Sequence, residues 1–229
     1  MTQSPYPRPG RRRFLATLGA GALAAGCATP VAPPRPLDPA RAPRVGDRWV
    51  YAYRSEWANV APRTLDVSVI SVSAQGVADR MTVQGDAAAF AERLFGSQLR
   101  IFALPLSGIL VHEFSPYLEA FGPLPVGNLA VEMPPESFGT RWYGTAREVG
   151  MEQVIVPAGA FQATRFSING WRTFLAGQMD DAADPVRLFA TAWFAADVKR
   201  FVRLSFVTQA QRLNPLARDH LELASFKVA

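Results

Sequence analysis

Three observations predict an all-β protein. Apolar and polar residues alternate in short segments, turn-forming residues separate those segments at roughly ten-residue intervals, and prolines interrupt the most apolar stretch so that no long helix fits there. Together they imply a strongly curved antiparallel sheet, as an open barrel or a sandwich, with little helix beyond an N-terminal signal segment.

The first strand follows the turn signal Val45-Gly46-Asp47, where Trp49, Tyr51 and Tyr53 share one face and Val50 and Ala52 the other. After Pro62, Leu65, Val67 and Val69 alternate with Asp66 and Ser68 in a second strand. Gln75-Gly76 turns the chain into a third, with Val77, Met81 and Val83 set against Arg80, Thr82 and Gln84. Asp86 to Gly96 fits either a short capped helix or a strand alternating Phe90, Glu92 and Leu94, and the alternation favours the strand. Residues 99–126 are the most apolar part after the leader, and prolines at 105, 116, 123 and 125 exclude a long helix. They read either as core strands with a covering loop or as the lining or lid of an apolar cavity. Their longest uncharged run, Ile101 to Val111, is too short to span a bilayer.

After Pro134-Pro135, Arg141 to Arg147 and Met151 to Val156 are strand-like. Pro157-Ala158-Gly159 then makes a tight turn into Phe161 to Ile168. Asp180 to Pro185 reads as a loop. Leu188 to Ala195, Phe201 to Thr208 and Leu221 to Val228 complete the strands, with Asp197 to Lys199 turning the first of these into the second.

The N terminus has a different character. Arg11, Arg12 and Arg13 precede an apolar run of about twelve residues that ends in small residues and Cys27, the pattern of an export signal. This run is too short to remain as a spanning helix, which needs roughly 20 apolar residues. Arg11-Arg12-x-Phe14-Leu15 resembles a twin-arginine signal, although Gly10 and Ala16 stand where Ser or Thr and Lys are usual. The general secretory route is the alternative. Leu23-Ala24-Ala25-Gly26-Cys27 resembles a bacterial lipobox, which implies lipid attachment at Cys27. By the same resemblance, Ala28 after the cysteine implies outer-membrane retention facing the periplasm. The expected organisation is therefore a signal peptide over 1–26, a lipidated cysteine and Pro-rich tether over 27–44, and a β-domain over 45–229. A tether with prolines at 30, 33, 34, 36, 39 and 43 favours polyproline II. At about 3 Å per residue it would hold the domain up to roughly 45 Å from its anchor.

Composition narrows the function. The net charge of +5 comes mostly from Arg8, Arg11, Arg12 and Arg13, and the chain beyond the leader has 20 basic and 19 acidic residues. That near-neutral balance argues against a nucleic-acid partner. Cys27 is the single cysteine, so disulfides, thiolate metal sites and cysteine redox chemistry are excluded beyond it.

Candidates for catalysis are few. His112 and His220 are the two histidines. Position 116 is proline, so His112-Glu113 does not continue into a zinc-protease motif. His112 reads as a hydrogen-bonded core residue. Asp219 and His220 are strand neighbours pointing to opposite faces, so they cannot act as orienter and base. No nucleophile elbow, phosphate loop or dinucleotide fingerprint is present. Asp180, Asp181 and Asp184 match no calcium loop and read as an exposed acidic loop. Trp49, Trp57, Trp142, Trp171 and Trp193 suggest either a sugar platform or, more in keeping with a β-domain, core and rim. No catalytic residue, metal ligand or cofactor is assigned, and the ligand-binding residues are unknown.

Gly46-Asp47-Arg48-Trp49-Val50-Tyr51, Val156-Pro157-Ala158-Gly159-Ala160-Phe161, and Ala192-Trp193-Phe194 with Val202-Arg203 together resemble a loose family of exported bacterial β-proteins of unknown function. That family has a glycine in the turn after its Trp-aromatic pair, where this chain has Ala196-Asp197-Val198. The resemblance implies a curved antiparallel sheet distantly similar to the Lol lipoprotein carriers, which hold acyl chains in an open barrel. It carries over no catalytic residues. The expected function is that of a lipid-anchored, non-enzymatic envelope protein that binds an apolar ligand, such as a lipid, or an envelope protein partner. The alternatives are a structural or assembly accessory without a small ligand, and a hydrolase or metal enzyme using His112 or His220.

Overall fold

Alternating side chains leave each strand with one face to bury, and a single sheet does so by curling around a common centre. The computed structural model describes residues 35–56, 60–132, 140–174, 186–210 and 215–229. They form a ten-stranded antiparallel sheet and a separate two-stranded hairpin. In chain order the strands are β1 (Arg48–Ser55), β2 (Arg63–Ser73), β3 (Gly76–Val83), β4 (Asp86–Phe95), β5 (Ile101–Leu106), β6 (Ile109–Phe114), β7 (Leu129–Val131), β8 (Thr140–Val156), β9 (Gly159–Phe174), β10 (Val186–Ala195), β11 (Arg200–Ala210) and β12 (Pro215–Lys227). Two 3-10 turns, Leu118–Phe121 and Ala196–Val198, are the only helical elements among the described residues.

The sheet runs β4-β3-β2-β1-β12-β11-β10-β9-β8-β7. Two meanders, β1–β4 and β7–β12, are thus joined side by side where β1 pairs with β12, in register from Arg48↔Lys227 to Ser55↔Asp219. Register breaks at Val50/Tyr51, Val69/Ser71, Glu148/Gly150 and Trp193/Phe194 add curvature, because a bulged strand bends and twists more strongly. The result is one curved antiparallel sheet, so of the two forms that the alternation allows, open barrel or sandwich, the sheet takes the open curved one.

The β5–β6 hairpin fills the trough. Its Phe102 meets Phe95 of β4, while Phe114 and His112 on its other face meet Phe194 of β10 and Phe206 of β11. Arg100, just before β5, bridges Glu132 beside β7, so the hairpin touches strands at both ends of the sheet order. Residues 99–121 are therefore core strands and a covering turn: Ile101, Leu106, Val111, Phe114, Leu118 and Phe121 are all buried. Being packed on both faces explains why this stretch is apolar without clean alternation.

The Asp86–Phe95 segment is a strand, and the three short strand segments expected around Pro157 (Arg141 to Arg147, Met151 to Val156 and Phe161 to Ile168) belong to the long hairpin β8–β9. That hairpin's tip reaches back across the sheet, where Ala158 N donates to Leu223 O at 3.0 Å.

Packing against the domain extends upstream of Val45: Asp38 N donates to Ala120 O at 2.7 Å, and Ala42 is buried. Proline lacks an N–H, so a Pro-rich strand of chain can lie on a protein surface without leaving donors unpaired. The proline signal therefore did not distinguish a free tether from a packed one.

Candidate functional site

The most polar interior feature is closed to solvent. Asp79 on β3, Arg93 on β4, Glu113 on β6 and Arg200 on β11 have side chains at most 4% exposed. Asp79 Oδ1 accepts from Arg93 Nε at 2.9 Å, and Asp79 Oδ2 accepts from Arg200 at 2.8 Å and from the Tyr117 hydroxyl at 2.6 Å. Glu113 bridges the two arginines with one oxygen each. Two positive and two negative groups balance, and the guanidinium of Arg200 lies 5.0–5.6 Å from the ring centres of Trp49, Tyr51, Tyr117 and Phe201.

Burial pushes the Tyr117 hydroxyl pKa well up, against the pull of Arg200 and with the help of Asp79. Burial disfavours the charge on Arg200, but Tyr117, Glu113, Tyr51 and Asp79 outweigh it, so that guanidinium stays firmly protonated. With water excluded and its charges matched, the cluster clamps hairpin to sheet and offers no reacting group to a substrate.

Sequence reasoning missed this cluster, yet it left a signal. Asp79 is in phase with Val77 and Met81, Arg93 with Phe95, and Glu113 with Ile109 and Val111, so each charge interrupts an inward-facing apolar row.

The histidines lie apart. His112 stacks on Phe206, 4.2 Å between ring centres with planes 6° apart, and its Nδ1 is 3.4 Å from Asp219 Oδ2. Asp219 Oδ1 also accepts from the Tyr53 hydroxyl at 3.1 Å. Burial first, and then the charge of Asp219, push that hydroxyl up to about 12. His112 is thus a hydrogen-bonded core residue as expected, with an aspartate partner from the far end of the chain. His220 faces the other way, its Nε2 3.0 Å from Glu56 Oε1, and Arg218 completes that surface group. No cluster of three or more metal-ligating side chains occurs among the described residues. Arg11, Arg12, Cys27, Trp57 and the Asp180, Asp181, Asp184 loop lie outside them.

Two accessible surface features among the described residues bear on binding. One is an open cleft of about 580 Å³ between the Leu118–Phe121 turn and the β8–β9 hairpin. Its apolar side is formed by Leu118, Leu124, Met151 and Phe166, and its polar side by Arg41, Glu119, Glu148, Asp197 and Lys199. Burial raises the Glu119 carboxyl, Arg41 opposes this, and Glu148 adds to it.

The other is a row of aromatic side chains across β8, β9 and β10. Tyr143 and Trp171 are directly paired across the strands and stack at 5.9 Å with planes 19° apart. Trp171 is in turn opposite Arg187, and Phe189, two residues further along, shares that face. Tyr143, Trp171 and Phe189 are 46%, 42% and 38% exposed, an unusual investment of large rings on a rigid surface. Of the other tryptophans, Trp49 is core, Trp193 is half-buried over Glu152, and the side chain of Trp142 lies outside the described ones.

No family model matches the chain, and no curated protein does. Among solved structures it is similar to a candidate lipoprotein from Parabacteroides distasonis, at 12% identity over 80% of this chain and 96% of the other, with a TM-score of 0.43. It is also similar to a candidate exported protein with a YmcC-like fold from Bacteroides fragilis, at 13% identity over 84% and 99%, with a TM-score of 0.40. Neither likeness assigns this chain a function.

Proposed function

We propose that this chain is a lipid-anchored protein of the bacterial cell envelope that works by binding an envelope partner rather than by catalysis. The leader and Cys27 support the anchor, Ala28 supports the outer membrane, and Arg11 and Arg12 support twin-arginine export. The observation that carries the binding reading is the exposed row Tyr143, Trp171 and Phe189. Stacked rings on a stiff sheet give contact area at little entropic cost, the property that enriches aromatics in binding surfaces. A photo-crosslinking residue at position 171 in cells should give a repeatable adduct that Tyr143→Ala weakens. No repeatable adduct would sink the proposal. Export that survives conversion of both Arg11 and Arg12 to lysine would overturn the twin-arginine route.

A small apolar ligand is the second reading, favoured by the cleft around Leu118, Leu124, Met151 and Phe166. The hairpin occupies the trough in which an open barrel would hold an acyl chain, so any such ligand sits in the cleft. Native mass spectrometry of the soluble chain from Ala28 tests this. A bound lipid supports it, and a clean ligand-free mass removes it.

A further inference from the structure

Arg35 roots the chain at one end of the sheet. Its backbone N donates to Ser97 Oγ at 3.0 Å, and its guanidinium donates to Ser97 O at 3.0 Å and to Gly122 O at 2.9 Å. Only seven residues lie between it and Cys27, and those eight steps along the chain span at most about 28 Å when fully extended. The chain between the two can reach no farther than that, and only at full extension.

The surface there has an unusual composition. Ala120 to Val131 is twelve residues without a charge, bounded by Glu119 and Glu132. Within it, Gly122–Asn128 loops outward, with Val126 fully exposed and Pro123 and Pro125 exposed beside it. Leu94, 56% exposed, lies nearby in the surface depression that Arg35 also lines. At the opposite end of β3 is the Gln84-Gly85 turn. Eight residues of strand at about 3.4 Å each place it roughly 27 Å away, a distance comparable to the whole leash.

We propose that the rim formed by the Gly122–Asn128 loop and Leu94 is the membrane-facing surface of this protein, with Val126 seated among lipid headgroups. The occupant is the bilayer that holds Cys27, so the inference rests on the anchored reading above. An uncharged, proline-stiffened loop tipped with valine suits that interface, where apolar side chains are favoured and few backbone donors are left unpaired. The anchor then orients the domain as well as retaining it: a short leash tied at Arg35 presents one end of the sheet to lipid and the other, with β8–β10 residues Tyr143, Trp171 and Phe189, away from it.

Lipid-borne quenchers test this on the full acylated protein. Val126→Cys and Gln84→Cys each add one free thiol, because acylation occupies Cys27. Each is labelled with an environment-sensitive fluorophore in vesicles of phosphatidylethanolamine and phosphatidylglycerol carrying nitroxide lipids. The label at 126 should be quenched several-fold more than that at 84. Leu94→Cys provides a second reporter on the same rim, should the loop variant fold poorly. Equal quenching at both ends, or stronger quenching at 84, overturns the inference. Intact mass separates the two readings: an acylated chain with an unquenched rim defeats the orientation alone, whereas an unacylated chain defeats the anchor and the orientation with it.

Discussion

Arg200 of β11 and Glu113 of the inner hairpin form an ion pair in which neither side chain has any exposure to solvent. Removing one member of such a pair strands the other in a low-dielectric interior, whereas removing both leaves a neutral gap. Glu113→Leu is therefore expected to cost about 3–5 kcal/mol. Combining it with Arg200→Met should recover part of that loss, since Arg93 and Asp79 still balance each other. Urea unfolding midpoints of the single and double variants check this. A double variant less stable than the single would refute the pairing.

Gly76 opens β3 at φ 145°, and a Cβ there would overlap the carbonyl of Phe95 on β4. The obstacle is backbone, which cannot step aside as a side-chain tip would. Gly76→Ala should destabilise the protein by more than about 1 kcal/mol through strain and lost β3–β4 pairing. Thermal unfolding would measure it, together with increased protease sensitivity near β4.

Glu119 gives a pH signature. Burial raises its carboxyl pKa, so the folded state holds that proton more tightly than the unfolded chain does. The stabilisation this provides is present below the ordinary glutamate value of about 4.3 and is lost as pH rises through the higher folded value. At neutral pH the ionised, partly desolvated carboxylate is a liability, and Glu119→Gln should unfold at higher temperature than the parent. The gap should close as the pH falls to about 4. A gap that widens in acid would contradict the assignment.

The two histidines should separate cleanly. His112→Ala loses the stack on Phe206 and the Asp219 contact, and is expected to cost about 1–2 kcal/mol. His220→Ala breaks only a surface group with Glu56 and should leave the unfolding midpoint unchanged within error. Loss of a hydrolytic activity in either variant, without loss of stability, would revive the enzyme reading.

The strands were readable because alternation is a local property: Trp49, Tyr51 and Tyr53 announce their face within five residues, and Pro157-Ala158-Gly159 announces its turn. Pairings across the chain were not. Asp219 is correctly excluded as a partner of His220 by strand parity, but its real partner, His112, is 107 residues away. The turn after Ala195 shows the same limit. The left-handed position in that turn falls to Lys199 at φ 58°, which its Nζ contact with Ala229 O at 2.8 Å helps to hold. The aromatic row was also illegible, because Tyr143, Trp171 and Phe189 alternate like core residues and only the sheet order shows that they face outward.

The side-by-side placement of β1 and β12 has a temporal consequence. Asp47 receives the backbone N–H of Ala229, 182 residues further on. As the chain is made, β1 through β4 can form a meander, but β1 keeps a bare hydrogen-bonding edge until β12 emerges. Contacts of such long sequence separation slow folding and prolong the interval in which sticky strand edges are exposed. The sheet thus acts as its own timer: most of the polypeptide must be synthesised before the first strand is sheltered, and a holding chaperone during that interval would raise the yield of native protein.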